Sequence, residues 1–209
     1  MKFSLKRKPQ EASEQAPRRS APAFVLFLFE LIQVAAISLA IIIPVRYFLI
    51  QPFYVKGASM EPSFFDHEYL VIDELSYRYS HPQRGDIVVF RYPLDPKQYF
   101  IKRVIGLPGE TVEVNEQGVK IYNNGYPNGY VLDESAYLGE AVVPSATRRT
   151  LTLKSDEYFV MGDNRGASLD SRYFGAIKRT DIVGRVWLRG WPLDRWTVFD
   201  RPNYTTTSQ

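Results

Sequence analysis

Hydrophobic residues follow two different patterns along this chain. Between positions 23 and 43 they form an almost continuous run, which only three polar residues interrupt: Glu30, Gln33 and Ser38. About 20 apolar residues, each rising about 1.5 Å in a helix, span the hydrocarbon core of a bilayer. A helix buried in a soluble core, which is the alternative, would show polar positions every three or four residues. We therefore predict a single transmembrane anchor within residues 21–50.

After residue 56 the apolar positions fall into short segments rich in Val, Ile, Tyr and Phe, separated by Gly, Pro, Asn and Asp, which is typical of strands. These segments are 68–75, 85–93, 99–107, 110–115, 118–123, 148–154, 157–163 and 181–189. No stretch sustains a helical period, so we predict an all-β domain over residues 51–209, with a coiled antiparallel sheet closing into a barrel-like or sandwich arrangement. Within it, residues 110–150 indicate a small β-ribbon and loop excursion.

The positive charge of the chain belongs to its first twenty residues. Residues 1–20 carry six Lys or Arg and two Glu, whereas the remainder has 20 basic and 21 acidic residues. Since positive flanks stay in the cytoplasm, we expect a disordered cytoplasmic tail and an extracytoplasmic domain. The plasma membrane is the expected location, and a thylakoid membrane would give the same pattern. A nucleic-acid-binding domain would carry its basic excess on the folded surface, so we expect no nucleic-acid partner.

The composition also limits the chemistry that is available. The chain contains no cysteine, which excludes disulfides and thiolate nucleophiles. It has only two histidines, His67 and His81, so a histidine-rich metal site is not expected. We therefore expect no metal site.

A candidate nucleophile, Ser59, lies in the segment KGASMEPSFF just after the apolar run. A serine hydroxyl needs a neighbouring base to react at neutral pH. In YFIKRVIGLPG, strand alternation places Lys102 on one face with Phe100 and Val104, where apolar surroundings would lower the lysine pKa. A lysine that reaches solvent from an edge strand is the structural alternative. His67 or His81 would be the base only if the fold brought it to Ser59.

A third cluster, MGDNRGASLDSRYFG at 161–175, combines glycines with charged and amide side chains. Its polar residues are able to satisfy one another by hydrogen bonds, in which case the loop would either brace a site or form a rigid turn. They are Asp163, Asn164, Arg165, Asp170 and Arg172.

Taken in order, these features resemble the bacterial type I signal peptidases, also called leader peptidases. The resemblance rests on the anchor, Gly-Ala-Ser-Met-Glu-Pro-Ser-Phe, Gly-Asp-Ile-Val-Val-Phe, Ile-Lys-Arg-Val-Ile-Gly-Leu-Pro-Gly-Glu and Met-Gly-Asp-Asn-Arg followed by Ser-Leu-Asp-Ser-Arg-Tyr-Phe-Gly. It extends from the anchor to about Gly190.

The resemblance implies a membrane-bound serine endopeptidase without a cofactor. Such an enzyme removes signal peptides from exported preproteins, cutting after small residues through an acyl-enzyme. By position, Ser59 matches the nucleophile and Lys102 the general base, while Ser168 matches a serine whose hydroxyl orients that lysine. The implied partners are preproteins, the lipid bilayer and a nearby export machinery.

The resemblance also implies roles for residues around the dyad. The bracing loop is matched by Asp163, Arg165, Asp170 and Arg172. Apolar neighbours that desolvate the lysine are matched by Phe100 and Met161, and Met60 matches a residue beside the substrate groove.

One position departs from the family pattern. Some members carry a serine two residues before the nucleophile, where this chain has Gly57. That hydroxyl would help to hold the oxyanion, so here the Ser59 backbone N–H is expected to carry more of this task.

Two other functions compete with this interpretation. Self-cleaving Ser–Lys proteases of the phage and SOS repressor type share the catalytic pair, but they carry a DNA-binding module in place of an anchor. A membrane-tethered β-domain that binds peptides or partner proteins without cutting them is the second.

Overall fold

A computed structural model describes residues 22–44, 51–138, 148–202 and 204. The predicted tail at 1–20 lies outside these residues, as do parts of the predicted anchor and excursion. The chain divides into two compact units, Met1–Ile42 and Ile43–Gln209.

The first unit contains most of helix α1, Ala23–Pro44. Within residues 23–43, the most apolar window of the helix has a mean hydropathy of 2.5. The side chains of these residues are exposed and do not pack in a core. Among the described residues it is the one helix long and apolar enough to cross a membrane. This exposure argues against a buried core helix, because an apolar surface of this length needs a nonpolar environment.

The second unit is built from strands, which confirms the all-β prediction. The strands are β1 Gln51–Tyr54, β2 Tyr69–Asp73, β3 Ile87–Tyr92, β4 Asp95–Gly106, β5 Thr111–Asn115, β6 Gly118–Asn123, β7 Tyr126–Val131, β8 Arg149–Thr152, β9 Glu157–Met161, β10 Ile177–Lys178, β11 Ile182–Trp191 and β12 Thr197–Val198. Single-turn α-helices accompany them within the described ranges: α2 Ser76–Tyr79, α3 Ser135–Leu138 and α4 Ser171–Phe174.

Eight strands form one antiparallel sheet in the order β1-β2-β11-β3-β4-β9-β10, with β12 paired to β11. The central strand β3 is buried on both faces, because Ile87 and Val89 join one apolar cluster while Val88 and Phe90 join another. Three strands separate β1 from β4, yet residues of both line the same cavity. The sheet must therefore coil, as the sequence predicts.

The remaining strands form a second antiparallel sheet in the order β7-β6-β5-β8. It packs on the large sheet through a cluster that includes Ile105, Val112, Ile121 and Phe159. Strand β7 and helix α3 lie where the sequence showed only a loop-rich stretch. The strand forms because its backbone pairs with β6 across a turn in which Asn123 Oδ1 accepts hydrogen bonds from two backbone N–H groups.

Candidate active site

The fold brings Ser59 and Lys102 together from positions 43 residues apart. Ser59 lies in the turn that follows β1, and Lys102 lies in β4. Lys102 Nζ is 2.8 Å from Ser59 Oγ and 2.8 Å from the carbonyl oxygen of Ile101. The amine and the alcohol are therefore within the range of proton transfer.

The amine of Lys102 is buried, and its side chain lies beside an aromatic ring. The residue is 3% exposed, and Nζ is 5.4 Å from the ring centroid of Phe100. Burial lowers the pKa of Lys102 to about 8, against the opposing charges of Asp170 and Asp163. Loss of hydration dominates because it penalises only the protonated form of the amine.

A cavity of about 420 Å³ opens beside the two groups. Apolar side chains make up much of its wall, among them Phe53, Val55, Leu70, Val89, Ile101 and Leu169. Two strand edges border it. In the described part of the chain β1 pairs only with β2, which leaves its other edge free. Strand β4 pairs with β9 only from Arg103 onward, so among the described residues the edge of β4 before Arg103 is also free. An extended peptide therefore has backbone groups available on either side of the cavity.

The backbone before Ser59 adopts a left-handed turn at Gly57, where φ is +90°. The Gly57 N–H donates a 2.8 Å hydrogen bond to Asp66 Oδ1, so it is already occupied. The N–H of Ser59, in contrast, donates to no acceptor among the described residues. With the Gly57 N–H occupied, the Ser59 N–H stays the candidate oxyanion donor.

The loop after β9 holds the backbone of Ser59. Asn164 donates from its N–H to the Ser59 carbonyl oxygen at 3.1 Å and from Nδ2 to the Ala58 carbonyl oxygen at 3.1 Å. A Cβ atom on Gly162 would lie closer than 3.0 Å both to that Ser59 oxygen and to Ser168 Oγ. Only glycine allows so close an approach, a requirement that the sequence alone did not reveal.

The charged residues of this loop pair differently from the sequence prediction. Within the loop, Arg172 binds Asp170 through two nitrogens, each at 2.8 Å, and donates from Nη1 to the Arg165 carbonyl oxygen at 2.8 Å. Asp163 instead binds Arg103 of β4, and Arg165 binds Glu134, which precedes α3. The predicted network is thus only partly contained in the loop, because partners 60 and 31 positions away pair with the side chains of Asp163 and Arg165. Neither partner carried a sequence signal.

Ser168 is buried, but its hydroxyl makes no hydrogen bond within the described ranges. The predicted contact with Lys102 is absent from this structure, because the amine is directed to Ser59 and to the Ile101 carbonyl oxygen. An unpartnered buried hydroxyl beside Gly162 is costly, and it leaves a donor available near the dyad.

Of the three apolar residues predicted at the site, one lies beside the Lys102 amine and two lie in core clusters. Phe100 lines the cavity and lies near the Lys102 amine, as the resemblance implies. Met60 does not line the cavity; it is 1% exposed and packs in the core with Phe64 and Leu70. Met161 is fully buried in the cluster between the two sheets. Both methionines follow the apolar packing of their segments, which the motif alone did not specify.

Neither histidine contacts Ser59. His67 pairs with Asp66 at 3.2 Å and with the Tyr54 hydroxyl, and its side chain is 75% exposed. His81 is also exposed. The structure thus favours Lys102 over either imidazole as the base. Among the described residues, no group of three His, Cys, Asp or Glu side chains has a metal-binding arrangement.

Comparison with known proteins places this geometry in a family. The family model described as "Signal peptidase, peptidase S26" matches residues 28–191. The chain belongs to the signal peptidase family S26. This membership confirms the resemblance drawn from the sequence motifs, and together with α1 it indicates a membrane-anchored peptidase.

Two relatives of similar length support the assignment, and one solved structure is similar to part of the chain. A probable signal peptidase I-2 of Synechocystis sp. is 40% identical over 168 residues, which cover 78% of this chain and 72% of the relative. Signal peptidase I of Leptolyngbya laminosa is 34% identical over 197 residues, or 90% of this chain and 89% of the relative. A solved signal peptidase I from Enterococcus faecalis V583 matches 51% of this chain and 97% of its own, with 37% identity and a TM-score of 0.43.

Proposed function

We propose that this chain is a membrane-bound serine endopeptidase that removes N-terminal signal peptides from exported preproteins, with Ser59 as nucleophile and Lys102 as general base. The observation that carries the proposal is the 2.8 Å approach of a buried lysine amine to a serine hydroxyl at the wall of an open cavity. A neutral amine there accepts the proton that the hydroxyl must lose.

The reaction proceeds in two stages that follow from this geometry. Neutral Lys102 takes the proton of Ser59 Oγ as the oxygen attacks the scissile carbonyl carbon, and the Ser59 N–H stabilises the resulting oxyanion. The protonated amine then gives its proton to the leaving nitrogen, which yields an acyl-enzyme and the mature protein. In the second stage neutral Lys102 takes a proton from water as the water oxygen attacks the ester, and it then gives that proton to the departing Ser59 Oγ, which releases the signal peptide.

The loop after β9 supports the dyad in this proposal. Asp163, Arg165, Asp170 and Arg172 keep the loop rigid through buried charge pairs, so that Ser59 stays in line with Lys102. The hydroxyl of Ser168, which has no other partner among the described residues, is available to the lysine when the amine becomes charged and needs a further acceptor.

The substrate binds as an extended strand between the free edges of β1 and β4. Main-chain hydrogen bonds fix its register, and alternate side chains enter the apolar wall of the cavity. We expect small side chains at the first and third positions before the cut, as the family resemblance implies.

The anchor places the enzyme where its substrates are. In this proposal the tail at 1–20 is cytoplasmic, α1 spans the plasma membrane or a thylakoid membrane once, and residues 51–209 lie outside the cytoplasm near the export machinery. The apolar segment of a signal peptide occupies the same bilayer, which raises its effective concentration at the site.

A direct cleavage assay tests the proposed function. Detergent-solubilised full-length protein, incubated with a preprotein, is expected to yield a shorter product whose new N-terminus follows a small residue. Mass spectrometry of both fragments identifies the bond. Intact preprotein after incubation with folded enzyme in several detergents and lipids would favour the binding domain instead.

Cleavage is expected to depend on pH through the amine of Lys102. Because only the neutral amine accepts a proton and its pKa is lowered to about 8, kcat/KM is expected to rise with pH and to level off above pH 8. The measurement is kcat/KM on a fluorogenic peptide from about pH 6 to about pH 10. His67→Asn, the matched control, should leave the midpoint unchanged, and a midpoint that moves in this variant contradicts the assignment.

A further inference from the structure

Residues 132–138, which follow β7, reach the loop after β9 (residues 162–170, here called the catalytic loop) through one buried ion pair. Arg165 donates from Nη1 to Glu134 Oε2 at 2.8 Å and from Nη2 to Glu134 Oε1 at 2.5 Å. Each side chain is 6% exposed. Two parallel hydrogen bonds fix the orientation of the guanidinium as well as its position.

The same guanidinium continues toward the nucleophile. Arg165 Nε donates to the carbonyl oxygen of Gly162 at 3.1 Å. Gly162 packs so closely on the Ser59 carbonyl that no Cβ fits between them. Glu134 is therefore connected to Ser59 through three successive contacts, and any tilt of Arg165 shifts the surface against which the Ser59 backbone rests.

Tyr137, in α3, extends the connection to the strand that carries the base. Its hydroxyl donates to Glu134 Oε1 at 2.7 Å, and its ring centroid lies 4.0 Å from the guanidinium carbon of Arg103. Arg103 follows Lys102 in β4 and binds Asp163 through two nitrogens. One short segment thus contacts both the loop beneath Ser59 and the strand that presents Lys102.

We propose that Glu134 and Tyr137 are positioning residues, through which the segment 132–138 holds Ser59 and Lys102 in register for proton transfer. This inference rests on the proposed function and assigns a role in it to the small excursion. The expected effect acts on kcat, because a displaced nucleophile loses alignment with its base while the substrate edges of β1 and β4 remain intact.

A second buried ion pair, between Arg84 and Glu110 at the base of the excursion, provides a matched control. Arg84 binds both carboxylate oxygens of Glu110, at 2.6 and 2.8 Å, and both side chains are largely buried. Glu110 also accepts from the Leu107 N–H and from Asn123 Nδ2, at the base of the excursion. This pair contacts neither Ser59 nor the catalytic loop, so its loss reports on stability alone.

The test compares full-length variants in detergent, with kcat and KM measured on a fluorogenic peptide and the thermal midpoint measured in parallel. Tyr137→Phe and Glu134→Gln are expected to lower kcat about tenfold or more and to leave KM within about twofold. Glu110→Gln should lower the thermal midpoint and leave kcat unchanged at temperatures well below it. Since Glu134→Gln alone leaves Arg165 charged and unpaired, the double variant Glu134→Leu/Arg165→Met replaces both charges with apolar groups.

The double variant tests whether kcat falls because Ser59 is displaced or because the protein is less stable. We expect it to fold with a thermal midpoint near that of the wild type and still to show the reduced kcat. Wild-type kcat in the folded double variant and in Tyr137→Phe would overturn the inference, as would an equal loss of kcat in Glu110→Gln. Failure of the proposed function looks different, because the wild-type protein would then not cleave or Ser59→Ala would still cleave.

Discussion

Ser59→Ala and Lys102→Met are each expected to lower kcat by about 10³-fold or more, while peptide binding is retained. Alanine removes the atom that attacks the carbonyl. Methionine keeps most of the length and the apolar stem of the lysine but has no amine to accept the proton, so the hydroxyl, 2.8 Å from the amine in the wild type, stays unreactive. The two losses should not add, because the groups act as one unit.

The assay follows cleavage of a preprotein by the full-length variants in detergent, with wild-type protein as reference. Lys97→Met is a suitable control, since Lys97 is an exposed lysine of the same strand. It should retain full activity. Cleavage by Lys102→Met at a rate comparable to the wild type would remove Lys102 as the base.

The Lys102→Met variant is also expected to be more stable than the wild type at neutral pH. The lysine pKa is about 8 in the folded protein, against 10.5 for a lysine that is fully hydrated, as in an unfolded chain. At about 1.4 kcal/mol per pKa unit, keeping this amine buried costs about 3 kcal/mol of unfolding free energy at neutral pH.

The sign of this effect sets its pH dependence. Between pH 8 and 10.5 the unfolded chain binds more protons at this lysine than the folded one, so wild-type stability rises with pH there. The cost of burying the amine is therefore fully present below pH 8 and disappears as the pH rises above the unfolded pKa of 10.5. Thermal midpoints of both proteins at about pH 7 and about pH 10 measure it. The gap should narrow at the higher pH, and a variant less stable than the wild type at neutral pH contradicts the expectation.

Gly162→Ala is expected to have the next largest effect, a loss of about 100-fold in kcat. Its Cβ would meet the Ser59 carbonyl oxygen at less than 3.0 Å, and backbone cannot move aside as a flexible side chain can. The loop and the Ser59 turn must separate by about 1 Å, which misaligns Oγ with the amine of Lys102.

The neighbouring glycine gives a matched control. A Cβ on Gly166 would meet nothing within 4 Å, so Gly166→Ala should be fully active. A second variant, Asn164→Ala, removes the side-chain bond to the Ala58 carbonyl oxygen and the one that Oδ1 accepts from the Ala167 N–H; it should lower kcat about tenfold without unfolding the domain. Circular dichroism and thermal melting check that each variant is folded. Full activity in folded Gly162→Ala would show that the Ser59 backbone tolerates displacement.

The local features of this protein were predictable from its sequence. The run at 23–43 specifies an apolar helix because the pattern needs no distant partner. Segments such as 85–93 and 157–163 specify strands because alternation and β-branched residues act over a few positions. The serine, the lysine and the loop motifs identified the family for the same reason, since they are short and ordered along the chain.

The tertiary structure alone decided how these pieces meet. The pKa of Lys102 depends on the total burial of its amine, and the partners of Asp163 and Arg165 come from strands and turns far along the chain. The same holds for the packing of Met60 and Met161 in core clusters, which their motif positions did not specify. Desolvation and ion pairing are sums over neighbours in space, and a linear sequence does not state which neighbours those are.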